Sequence, residues 1–239
     1  MEEDYSTFTN KEWITKIVQM KANGDDFNAP LNSFGWNILM CSTKYSDCKI
    51  MQQILNSKDD QGIRLVDINF KSSNGDTALS MAANMKNEEK ILLLLSNGAD
   101  MTLAKAKVPN KANKKMLQNL YRKVQKDSKE FIMEVFLKNT QKAGKLLKEK
   151  SINVNMKIKN PIPSNISEIY ALIHASETGQ IEIVDMLLKQ SNINVNIQDN
   201  LGITALICAA ENGHSKVVEM LLKHPKIDVN IQVRMALQR

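Results

Sequence analysis

The stretch LGITALICAAENGHSKVVEMLLKHPKIDVNIQ, residues 201–232, decides how this chain is read. An altered copy, YALIHASETGQIEIVDMLLKQSNINVNIQ at residues 170–198, lies one period of 34 residues upstream. Placing Thr204-Ala205-Leu206 over Tyr170-Ala171-Leu172 aligns Gly213 with Gly179. It also aligns Leu221-Leu222 with Leu187-Leu188 and Val229-Asn230 with Val195-Asn196. A third copy, NGDTALSMAANMKNEEKILLLLSNGAD, covers residues 74–100. Its Gly75, Thr77, Ala78, Leu79, Ala82 and Ala83 match Gly202, Thr204, Ala205, Leu206, Ala209 and Ala210. The period is close to the ~33 residues of one class of stacked repeat.

The residue types suit a helix-turn-helix unit. Thr204 stands where its hydroxyl can cap the free N–H groups of a short helix. Ala209 and Ala210 are small and let neighbouring helices approach. Gly213 suits a tight turn with positive φ. Val217, Val218, Leu221 and Leu222 recur at helical spacing and give a second, amphipathic helix. Asn97-Gly98 closes the equivalent helix of the third copy. Each unit exposes an apolar face that only a neighbouring unit covers.

These residues resemble the ankyrin repeat, whose pattern runs G-x-T-P-L-H-x-A-A-x-x-G-H-x-x-V-V-x-x-L-L-x-x-G-A-D-V-N. The matches are Gly202, Thr204, Leu206, Ala209, Ala210, Gly213, His214, Val217, Val218, Leu221, Leu222, Val229 and Asn230, with Asn97-Gly98-Ala99-Asp100 in the earlier copy. The resemblance implies an all-α solenoid of about six helix-turn-helix units with finger loops. We expect a half unit at residues 12–28 and units at 32–69 and 72–102. A basic, non-repeat helical segment follows at 103–130, then units at 131–155, 165–196 and 199–230. Residues 131–155 read as two short helices without a finger. Residues 155–168, with Pro161 and Pro163, read as an extended finger. After Asn230 the chain reads IQVRMALQR, without a polar capping helix. The last unit is therefore expected to meet a partner, to self-associate, or to continue into a larger protein of the effector kind that is delivered into a host cell.

Composition narrows the function. With 239 residues and 43% hydrophobic content, the chain is long and apolar enough for a real core. No apolar run reaches the ~18 residues of a membrane span. Three cysteines, Cys41, Cys48 and Cys208, suggest reduced thiols in a cytoplasmic setting. The net charge is +6, yet residues 102–160 hold sixteen Lys/Arg against four Asp/Glu, a net of +12. The rest of the chain is mildly acidic. No phosphate-binding glycine loop, nucleophile elbow or metal-ligand spacing is present, so neither enzyme activity nor a cofactor is expected. Cys41 and Cys208 fall inside first helices, where buried thiols are inert. His174 and His214 fall on family positions with structural roles.

Function is expected on the surface that stacked units build. In the family, partner contacts come from residues around the finger glycine and from the two residues after Ala-Ala. Carried over, these are Ser33, Phe34, Trp36, Lys44 and Tyr45, then Asn74, Asp76, Asn84 and Met85. The later units contribute Ile166, Ile169, Glu177 and Thr178, then Leu201, Ile203, Glu211 and Asn212. In a chain with only 5% aromatic residues, Phe34, Trp36 and Tyr45 stand out as interface anchors. The alternative seat for Phe34 and Trp36 is a core around Trp13 and Phe27. Ile169, Leu201 and Ile203 form a second apolar patch or pack finger to finger. The leading expectation is a non-enzymatic adaptor for another protein. The rival expectation is polyanion or nucleic-acid binding through Lys107, Lys111, Lys114, Lys115, Arg122 and Lys123, set against a plain solvated helix.

Overall fold

The computed structural model describes residues 3–59, 63–149, 151–161 and 168–233. The chain forms two compact units, Met1–Val124 and Gln125–Arg239. Short helices paired in antiparallel hairpins build both.

In the first unit a 3-10 turn at Tyr5–Thr7 precedes α1 (Asn10–Asn23), α2 (Ile38–Tyr45), α3 (Cys48–Asn56), α4 (Ala78–Asn84), α5 (Glu88–Ser96) and α6 (Met101–Ala106). Helices α2, α4 and α6 form one layer, and α1, α3 and α5 the other. The sequence dictates the starts. Thr9, Asn37, Asp47, Thr77, Asn87 and Asp100 each accept a hydrogen bond from a backbone N–H in the first turn of the helix that follows. Such caps contribute about 1 kcal/mol each. Ser42 and Thr43 replace the Ala-Ala pair of other units, yet both are buried, because each hydroxyl donates to the Leu39 carbonyl. Lys90 is buried as well. Its Nζ donates to the carbonyls of Thr43 and Ser46 at 2.7 and 2.6 Å, closing the C-terminus of α2.

Helix α7 (Lys111–Phe136) runs through the boundary between the units. This changes the sequence reading in two places. The segment after residue 102 begins within the stack: α6 packs on α4 in the first-helix layer, with Ala104 and Val108 fully buried. The break expected at 130/131 does not exist either. Asn110 caps the start through Ala112 and Asn113, and no glycine or proline interrupts residues 111–136. The buried stripe Leu117, Leu120, Val124, Phe131, Ile132 and Val135 keeps helical spacing across the boundary.

The second unit adds α8 (Thr140–Glu149), β1 (Lys157–Lys159), β2 (Glu168–Tyr170), α9 (Ala171–Glu177), α10 (Ile181–Leu188), α11 (Ala205–Glu211) and α12 (Ser215–Leu222). Helices α9 and α11 form one layer, and α8, α10 and α12 the other. The extended finger is a short antiparallel hairpin pairing Lys157 with Tyr170 and Lys159 with Glu168. Residues 162–167 of that finger lie outside the described residues.

Within each unit an asparagine ladder ties successive loops. Asn28 accepts from Asp67 N–H and donates to the Leu65 carbonyl, and Asn69 accepts from Asp100 N–H. In the second unit Asn155 accepts from Asn194 N–H and donates to the Asn192 carbonyl. Asn196 repeats the pattern with Asp228 and Lys226. The family's closing Val-Asn therefore has a mechanical role: its amide satisfies backbone groups of the next turn.

The two alanines after Leu206 are not equivalent. Ala209 is fully buried, whereas Ala210 is exposed. The matching Ala82 and Ala83 are both buried, because α6 follows α4 in the same layer. No described element follows α11 in that layer, so Ala210 and the far side of the last unit, with Leu222 and Val229, stay open. Residues 234–239, the tail of the expected self-association surface, lie outside the described residues.

Candidate functional site

The first unit carries an exposed aromatic cluster. Asn32 builds it: its Oδ1 accepts from the N–H groups of Phe34 and Trp36, while Leu31 N–H donates to the Trp36 carbonyl. Gly35 sits between them at φ 72°, hard against Ser73 of the next finger; a Cβ there would lie 2.3 Å from Ser73 Oγ. This turn holds both rings on one side. The Phe34 and Trp36 centroids are 5.3 Å apart, and Tyr45, at the end of α2, is 6.4 Å from Trp36. Phe34 is 55% exposed and Tyr45 38%, while Trp36 is partly buried against the core. Trp13 is buried against Tyr5 and Phe8, and Trp36 packs in part on the same core, which also holds Phe27, as in the alternative seating.

Ser33, Lys44, Asn74, Asn84 and Met85 are exposed and Asp76 is half-buried. Asn84 donates to the Lys107 carbonyl. The Lys107 side chain crosses Gly75, where a Cβ would meet its Cε at 2.9 Å. Lys107 thus lies over a finger, apart from the other basic candidates on α7. Of those, Lys111, Lys115, Arg122 and Lys123 are exposed and Lys114 is half-buried. At ~100° per residue, Lys111, Lys115 and Arg122 share one helical face and Lys123 stands about 100° away from Arg122.

The second unit holds a groove of about 370 Å3 between the β2 and 199–203 fingers and the ends of α9 and α11. It gathers five sequence candidates, Ile169, Glu177, Ile203, Glu211 and Asn212. Leu201 lies outside the lining, half-buried. Ile169 is not an exposed contact: at 6% exposure it packs into the core and lines the groove from below. Asn212 turns back on its own helix, donating to the Cys208 carbonyl. Thr178 does likewise with the His174 carbonyl. Ile166 falls outside the described residues.

Glu168, Tyr170, His174 and Asp199 also line the groove, and the repeat pattern did not mark them as partner contacts. Asp199 Oδ1 accepts from the N–H groups of Leu201 and Ile203 at 2.8 and 2.9 Å, and this sets the finger's shape. The acidic residues just before the finger glycine and at the end of the first helix were the available signal. His174 stacks on Phe136 at 4.9 Å, with Nδ1 3.5 Å from Glu177 Oε2. Burial pushes its imidazole below the ordinary histidine value. Tyr170, in the place of the family threonine, makes no side-chain cap to α9, so the family's Thr–His bond is absent. His214 is structural, as expected: its Nε2 bonds the Glu177 carbonyl at 2.9 Å, against the turn at Gly179. Cys208 is buried beside the groove, and burial, with Glu177, Asp199 and Glu211 adding to it, pushes its thiol up to about 12. Cys41 is also pushed up to about 12 by burial. Neither forms thiolate near neutral pH.

A family model of ankyrin repeats, in three copies, matches residues 8–105 and 124–233. The chain belongs to the ankyrin-repeat family. Among solved structures, the ankyrin repeat protein EF0377 aligns at 21% identity over 82% of this chain and 84% of its own, with a TM-score of 0.34. No curated protein matches the sequence. Ankyrin repeats are in general protein–protein interaction modules. Among the described residues, no helix is long and apolar enough to cross a membrane.

Proposed function

We propose that this ankyrin chain is a non-enzymatic adaptor that captures a partner protein on its fingers and first-helix ends, with Phe34, Trp36 and Tyr45 as anchors. The observation that carries this reading is the aromatic cluster itself. Three of the chain's twelve aromatic residues adjoin in a row, with the partly buried Trp36 between the exposed Phe34 and Tyr45, beside a finger turn fixed by Asn32 and Gly35. Exposed aromatic side chains held rigidly are the residues that dominate interface energies, often 2 kcal/mol or more each. The test is capture from nuclease-treated lysate by the intact chain and by the Phe34/Trp36/Tyr45→Ala variant, followed by affinity measurement with the captured protein. The variant is expected to bind at least about 30-fold more weakly. Equal affinity with an intact helical spectrum sinks the reading.

A second reading rests on the face shared by Lys111, Lys115 and Arg122, which suits a polyanion. Its signature is an affinity that falls steeply between low and moderate salt, as bound counterions are released. A flat salt response removes it.

A further inference from the structure

We propose that the groove of the second unit is a separate docking site for an extended, arginine- or lysine-bearing segment of a partner protein. This rests on the chain being a protein-binding array, but not on the aromatic cluster of the first unit. Three observations carry it.

The first is charge. Glu177, Asp199 and Glu211 come from three successive elements, α9, the last finger and α11, and all line the same groove. All three lie near the Cys208 thiol, which also lines the groove. Glu168 is engaged by Lys157 at 2.7 Å and Asp199 Oδ1 by the N–H groups of its own finger, so Glu177 and Glu211 are the carboxylates assigned to the ligand. The groove is acidic within a chain that is basic overall.

The second is shape. The groove, of about 370 Å3, is bounded by residues of two fingers and of α9 and α11, so a segment lying across it meets carboxylates from both repeats.

The third is the wall between the charges. Tyr170, Ile203 and the His174–Phe136 stack give the groove an apolar side. Long basic side chains have an apolar stem and a charged head, so such a wall grips the stem while a carboxylate takes the head. Arginine also stacks on flat rings. An acidic or purely apolar segment would leave the carboxylates desolvated and unpaired.

The experiment is an amide-resolved NMR titration of the full chain with a twelve-residue probe peptide alternating arginine and serine. A glutamate–serine peptide of equal length is the control. The expected result is saturable shifts at residues 199–203 and 208–212 with the arginine probe alone. Glu177→Gln with Glu211→Gln should weaken that binding at least about tenfold, the loss of one charged hydrogen bond or more. The Phe34/Trp36/Tyr45→Ala variant should bind the probe unchanged. Absence of shifts, shifts that arise only elsewhere, or binding unaffected by the double glutamine variant would overturn the proposal. Shifts lost in the aromatic variant would overturn the independence of the two sites. None of these outcomes bears on whether the aromatic cluster captures its own partner.

Discussion

The contrast between Ala209 and Ala210 offers the sharpest test of the stacking register. Ala209 is fully buried on α11, which packs against α9, where Ala171 and Ala175 are also fully buried. Ala209→Asp would place a carboxyl in that buried helix contact. Burying an unpaired polar group costs about 1–3 kcal/mol in folded proteins. Forcing the extra atoms into a packed site costs a further 1–3 kcal/mol or so. The two effects together come to about 4 kcal/mol, before the cost of keeping the acid neutral at pH 7. With a urea slope of about 2 kcal/mol/M, the midpoint for the second unit should fall by about 2 M. Ala210→Asp, one residue on but exposed, should cost about 0.5 kcal/mol or less, a shift of about 0.3 M at most. Urea unfolding followed by circular dichroism gives both numbers, and amide exchange over residues 171–222 locates the loss. Equal damage from the two variants would refute the register, and a harmless Ala209→Asp would refute the packing.

Three other outcomes follow from the same coordinates. Asn196→Ala removes two hydrogen bonds between successive loops and should cost about 2 kcal/mol in the same urea assay; no shift would mean that the ladder is decorative. Gly179→Ala puts a Cβ at φ 66° and 2.8 Å from the His214 ring, whereas Gly213→Ala at φ 70° meets nothing within 4 Å. Both should lose about 1 kcal/mol from the left-handed backbone, and Gly179→Ala should lose clearly more; equal losses would deny the His214 contact. Burial holds the His174 imidazole below its ordinary value of 6.5, so the unfolded chain binds that proton more readily than the folded one. Its contribution to stability is intact above about pH 6.5 and is lost as pH falls below it. His174→Gln should flatten the stability profile between pH 7.5 and 5.5, and an unchanged slope would place the acid sensitivity elsewhere.

The sequence by itself determined the repeat and most of its local geometry. Thr77 and Thr204 cap because their hydroxyls sit one residue before a helix, and Gly213 turns because it lacks a Cβ. These are short-range effects, legible wherever the pattern repeats. The adjacency of Phe34 and Trp36 was legible for the same reason, since a finger fixes neighbours in sequence. What only the tertiary structure decided depends on which surface meets which. Residues 101–106 became a first helix because α4 offers them a packing face. The helix α7 passed its expected break because its buried stripe finds cover on both sides of residue 130. Ala209 and Ala210 read alike in sequence, yet one is covered by a neighbouring helix and the other is not. The groove has the same origin. Glu177, Asp199 and Glu211 are up to 34 positions apart, and their meeting follows from stacking at one repeat per period, a relation that no local pattern of residue types encodes.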